Sequence, residues 1–99
     1  MRSLDKLTWH VMDAMADDWE SIAQIRPHVH QYCGVTSDED IFAALRHLHQ
    51  DTLVEIMKVP DQASDVFQTH PEACWFGMTD AGRKLWASER AKYGDDEQA

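Results

Sequence analysis

The side chains best suited to chemistry near neutral pH are imidazoles and thiols, and in this chain they include two close pairs, His28-Val29-His30 and His47-Leu48-His49, and two cysteines, Cys33 and Cys74. Imidazole is the commonest transition-metal ligand. On a helix, however, residues two apart project about 200° from one another, so neither pair converges on one ion. Only His30 with Cys33 has a same-face spacing, and the third and fourth ligands of a zinc site are missing, so no metal or cofactor is expected. The cysteines lie forty-one positions apart with no Cys-x-x-Cys motif and no Cys/His/Asn signature around them. Packing, not redox or nucleophilic chemistry, is their expected role.

Other catalytic patterns are equally sparse. The four glycines, Gly34, Gly77, Gly82 and Gly94, form no phosphate-cradling loop. The carboxylate groups Asp17-Asp18 and Asp38-Glu39-Asp40 sit where helix ends are expected, which accounts for them without acid-base catalysis. Trp9, Trp19, Trp75 and Trp86 have no basic neighbours that would suit them to stacking on bases. The expectation is a protein that is not an enzyme.

These residues need elements to position them. Ninety-nine residues suffice for one domain, and 43% hydrophobic residues with 27% charged ones are a globular mixture. No apolar run approaches the roughly 18 to 20 residues that cross a bilayer, and Met-Arg-Ser-Leu-Asp-Lys-Leu is too polar for a signal peptide, so a soluble cytoplasmic protein is expected. Leu4, Leu7, Val11 and Met15 recur at helical spacing, with Trp9 and Met12 widening the stripe, up to Asp17-Asp18. Ser21 and Gln24 have capping-box spacing ahead of Ile22, Ile25 and Val29, which predicts a second helix to about Cys33, stopped by Gly34. Pro27 predicts that this helix is kinked or starts only near Arg26. Thr36-Ser37 before Asp38-Glu39-Asp40 opens a third helix with Ile41, Ala44, Leu45 and Leu48 inward. Residues 52–59 and 74–78 read as two strands of a hairpin with a long tip, and Thr79 caps a last helix running to about Tyr93. One domain over 1–94 and a polar acidic tail over 95–99 follow, in an α+β fold that is mostly α.

The order of three helices, a two-stranded hairpin and a final helix resembles the winged helix-turn-helix domain of MarR-like and PadR-like transcription regulators. Two stretches carry the likeness. Val35-Thr36-Ser37 leading through Ile41, Leu45 and Leu48 to Leu53-Val54-Glu55 is similar to a recognition helix entering the first wing strand. Trp75-Phe76-Gly77-Met78-Thr79-Asp80-Ala81-Gly82 is similar to the passage that leaves the second wing strand. The resemblance implies sequence-specific binding of double-stranded DNA, with the third helix in the major groove and the wing on the backbone. The contact residues it implies are Ser37, Glu39, Asp40, Ala43, Arg46, His47, Gln50 and Lys58.

Charge runs against this implication. The chain carries 18 acidic and 9 basic residues, a formal charge of −9, which repels polyanions at long range. Residues 37–58 hold five acidic and two basic side chains, and residues 59–78 hold three acidic ones and no Lys or Arg. Few phosphates can be neutralised by such a surface, although Glu39 and Asp40 could accept from cytosine amino groups. The alternative is a winged helix kept as an acidic module that docks a basic protein. Protonation of six histidines would move the charge from −9 toward −3, so acid should favour DNA if His28, His30 or His47 flank the contact face.

Apolar residues of the first and last helices look too numerous for one small core, which predicts a homodimer through Leu4, Trp9, Met12, Trp86 and Tyr93. Burying both indoles removes about 150–250 Å² each, several kcal/mol at about 25 cal/mol per Å². The competing arrangement has Trp9 and Trp86 packed on each other within one chain.

Overall fold

The computed structural model of the chain describes residues 4–57 and 74–93. Within them the elements run α1 (Lys6–Ala14), β1 (Glu20–Ser21), α2 (Ile22–Cys33), α3 (Asp38–Gln50), β2 (Val54–Met57), β3 (Trp75–Met78) and α4 (Asp80–Tyr93). The result is a small, mostly helical α+β domain, and its three antiparallel strands lie in the order β1-β3-β2. Lys58, residues 59–73 and the 95–99 tail lie outside the described residues.

Local chemistry explains where each helix starts and stops. Asp5 caps α1, its Oδ1 accepting from the Thr8 amide at 2.7 Å. The Ser21 amide donates to Gln24 Oε1 at 2.8 Å, the reciprocal bond of a capping box, and α2 begins directly after it. Rather than starting near Arg26, α2 begins at Ile22, and its helical span includes Pro27. Pro27 and Ala23, whose carbonyl loses its helical donor there, both face solvent, where water can replace the missing bond. Gly34 closes α2 with φ 81°, a left-handed backbone that favours glycine, and its amide reaches the His30 carbonyl at 3.1 Å. Ser37 then caps α3, accepting from the Asp40 amide at 3.2 Å.

The strand β1 is unforeseen. Two residues cannot display the alternation by which strands are read, yet Glu20 and Ser21 pair with Phe76 and Trp75 and convert the hairpin into a three-stranded sheet. On the other side of β3, Val54 stands opposite Met78 and Ile56 opposite Phe76. Strand β2 starts at Val54, two residues later than the pattern suggested, because residues 51–53 finish the end of α3: the Thr52 amide bonds the His49 carbonyl and the Leu53 amide bonds that of Leu48.

A single core lies between the helices and the sheet, built from Trp9, Met12, Ile25, Ile41, Leu45 and Phe76, each essentially without solvent exposure. The start of α4 is fastened to the α3–β2 turn. Thr79 donates its hydroxyl to the Thr52 carbonyl at 2.7 Å and its amide to the Leu53 carbonyl at 3.1 Å, while the hydroxyl oxygen accepts from the Gly82 amide at 3.0 Å. A Cβ on Gly82 would stand 1.9 Å from the Leu53 oxygen, so only glycine permits this approach.

Candidate functional site

On α3 the buried stripe of Ile41, Ala44, Leu45 and Leu48 fixes which side chains turn outward. Opposite it, at helical spacing, stand Glu39, Ala43, Arg46 and Gln50. Glu39, Arg46 and Gln50 are exposed and Ala43 is half-buried. Asp40 and His47 flank this strip on the side of α1, where they line an open groove of about 310 Å³ together with Asp5, Thr8 and Ala43. His49 leaves on the other flank and meets the Val54 carbonyl through Nδ1 at 3.1 Å, tying α3 to β2. Ser37 faces solvent at the helix start, where its hydroxyl is the cap. Thus seven of the eight expected contact residues share one end or face of α3, and the eighth, Lys58, lies outside the described residues.

The electrostatics of this face are set by its first turn. Asp38, Glu39 and Asp40 sit at the positive end of the helix dipole, a favourable placement that stabilises α3 whatever it touches. Arg26 of α2 grips Asp38 with both arms of its guanidinium, Nε to Oδ1 at 2.7 Å and Nη2 to Oδ2 at 2.8 Å. That hydrogen-bonded pairing holds the Asp38 carboxyl below its ordinary range and raises the Arg26 guanidinium above its own. Arg46 is therefore the basic side chain of the outward strip. Of the three histidines expected to sensitise the face to acid, only His47 stands on it. His30 meets the Thr36 carbonyl at 2.9 Å inside the α2–α3 turn, and His28 faces α1.

The residues assigned to a dimer contact find cover inside one chain. Leu4, Trp9 and Met12 are buried, and Trp86 stacks on Trp9 with ring centroids 6.2 Å apart and planes 17° from parallel. The Trp9 indole donates to the Trp86 carbonyl at 3.0 Å, and Tyr93 donates its hydroxyl to the Leu4 carbonyl at 2.5 Å. Helices α1 and α4 thus pack on each other within one chain, with Trp86 and Tyr93 left half-buried. The large apolar side chains exposed among the described residues are Val35 and Trp75, on neither helix.

A second constellation was not legible from pairwise spacing. His10 and Asp13, three apart on α1, meet His28 of α2, and one ligand atom from each lies within 4.8 Å of the others. His10 has no solvent exposure and lies flat against Tyr32, with ring centroids 4.9 Å apart and planes 4° from parallel. Asp13 accepts from the Trp86 indole through Oδ1 at 2.9 Å and faces His28 Nε2 through Oδ2 at 3.1 Å. The usable signal was the i,i+3 pair His10 and Asp13. Its partner comes from another helix, and no spacing within the chain reports that approach.

No protein-family model, curated protein sequence or solved structure matches the chain. No helix among the described residues is long and apolar enough to cross a membrane.

Proposed function

We propose that the chain is a winged helix-turn-helix module that binds double-stranded DNA with α3 as its reading helix. The observation that carries this reading is the unobstructed strip of Glu39, Ala43, Arg46 and Gln50, presented by a helix that follows α2 through a short glycine-started turn and is backed by the β1-β3-β2 sheet. A helix so placed fits a major groove, where Arg46 suits the paired acceptors of guanine and Gln50 the acceptor and donor of adenine. With Arg46 committed to a base and Lys58 left as the cation for a phosphate, binding should depend only weakly on salt, with a logarithmic slope of about −1. The test is a fluorescence-anisotropy titration against a randomised duplex pool at low salt, followed by sequencing of the retained fraction. Arg46→Ala should weaken the selected sequence by about 1–3 kcal/mol and relax preference at one base pair. Absence of retention at micromolar protein would overturn the reading.

One observation favours a second reading, in which the same face docks a basic protein. Arg26 is committed to Asp38, and the first turn of α3 presents the carboxylates of Glu39 and Asp40 where a phosphate would need a cation. Glu39→Gln with Asp40→Asn separates the two readings. Removal of like charge strengthens DNA binding, whereas loss of opposite charge weakens a basic partner.

A further inference from the structure

We propose that His10, Asp13 and His28 form a binding site for one divalent transition-metal ion of the zinc class, bridging α1 and α2. The site stands apart from α3 and does not rest on the DNA-binding reading. Its three ligand atoms lie within 4.8 Å of one another. A tetrahedral ion bonded at about 2.0–2.2 Å to each ligand holds the ligand atoms about 3.3–3.6 Å apart, so closure on the ion requires movements of up to about 0.7 Å at each residue. Two imidazole nitrogens and one carboxylate oxygen suit zinc, cobalt or nickel, and they do not suit calcium or magnesium, which favour all-oxygen shells.

The surroundings hold these ligands in the orientation such an ion needs. The Trp86 indole fixes Asp13 through Oδ1, which directs Oδ2 toward His28. Anchoring of a ligating carboxylate by an outer donor is a regular feature of metal centres. His10 is fixed by the face of Tyr32 and by the edge-on ring of Trp9, 4.9 Å away, and His28 packs 4.9 Å from Tyr32. The interior side is therefore apolar and closed. Toward solvent, Asp13 and His28 border an open groove of about 420 Å³ that also touches Asp17, Trp86 and Arg90. This groove is the entry path and leaves room for water as a fourth ligand, the arrangement of an open zinc site. Asp17 and the overall charge of −9 draw cations to it, while Arg90 is held over the Trp86 ring at 5.5 Å.

The test uses the full chain, stripped with a chelator and titrated calorimetrically with zinc, with cobalt as the spectroscopic probe. The expected result is one ion per chain, an unfolding midpoint that rises with zinc, and visible cobalt bands of a four- or five-coordinate nitrogen and oxygen site. His28→Gln and Asp13→Asn, at half-buried positions, should each weaken binding at least tenfold while circular dichroism stays unchanged. Trp86→Phe keeps every ligand and should weaken binding about 10- to 100-fold by freeing Asp13. His30→Gln and His47→Gln should leave affinity unaltered. The proposal is overturned by the absence of binding tighter than about 1 mM, by an affinity that survives His28→Gln, or by an equal loss in His47→Gln.

Discussion

Thr52 is the one described non-glycine residue with a left-handed backbone, at φ 59°. It occupies the place after a helix end that glycine usually fills, and its β-branched side chain makes that conformation costly. The fold holds it there from both sides: its amide and that of Leu53 close α3, while its carbonyl receives the Thr79 hydroxyl. All three bonds are made by backbone atoms of residues 52 and 53, so they survive truncation of the side chain. Thr52→Gly relieves about 1–2 kcal/mol of backbone strain and returns part of it through the greater freedom of glycine in the unfolded chain. The expected outcome is a net gain of about 0.5–1 kcal/mol, read as a higher urea midpoint at unchanged slope. A lower midpoint would mean that the Thr52 hydroxyl, 2.6 Å from the Asp51 carbonyl, outweighs the strain.

At the scale of elements, the angle between α2 and α3 is set by the Gly34 turn and by the clamp of Arg26 on Asp38. Because the folded-state pKa of Asp38 is lowered, first by the hydrogen bonds from Arg26, the stabilisation is present above the unfolded-state value of about 3.9 and is lost as pH falls through the depressed folded value. The stability gap between wild type and Asp38→Asn should therefore narrow as pH falls from about 5 to about 3, because the wild type loses the clamp there and the variant has none to lose, while near pH 7 the gap is constant. Thermal melts across this range measure it, and parallel curves would remove the clamp from the account. Both residues are near half exposed, so screening keeps the effect modest.

Elements of this kind were legible wherever the signal was local. Ser21 with Gln24, Ser37 before three carboxylates, Gly34 and Thr79 each mark a boundary through a bond that spans four residues or fewer, and each boundary falls where the spacing put it, within a residue or two. What was illegible depends on approach from afar. β1 exists because β3 arrives beside it, Pro27 is tolerated because that side of α2 meets water, and the His10, Asp13 and His28 group exists because α2 lays one ring against α1. The outward strip of α3 was readable from the same periodicity that gave its core, whereas the capture of Arg26 by Asp38 was not.

Across the whole molecule, α4 acts as the brace that closes α1 against the rest. Trp86 contributes a stacked ring to Trp9 and an indole donor to Asp13, and Glu89 accepts from the Leu4 amide at 3.1 Å while binding Lys92 at 3.0 Å, an attachment that raises the Lys92 ammonium above its ordinary value. Trp86→Ala removes the half-buried ring and leaves the Asp13 carboxylate without that donor, at an expected cost of about 3 kcal/mol in chemical denaturation. Because the ring is covered within its own chain, light scattering should give the same mass for variant and wild type. A wild-type dimer that the substitution splits into 11.4 kDa monomers would show instead that α4 reaches a second copy.

The bond from the Trp9 indole to the Trp86 carbonyl joins residues 77 positions apart. During synthesis at about 5–20 residues per second, Trp9 has therefore waited about 4–15 s before its cover has even been polymerised. Until then the apolar Trp9, Val11 and Met12, all buried in the fold, lack the cover that α4 supplies, and exposed apolar surface of this kind favours aggregation. A chain truncated ahead of residue 86 therefore lacks the ring and the carbonyl that cover Trp9 in the fold, and its indole should be open to a soluble fluorescence quencher.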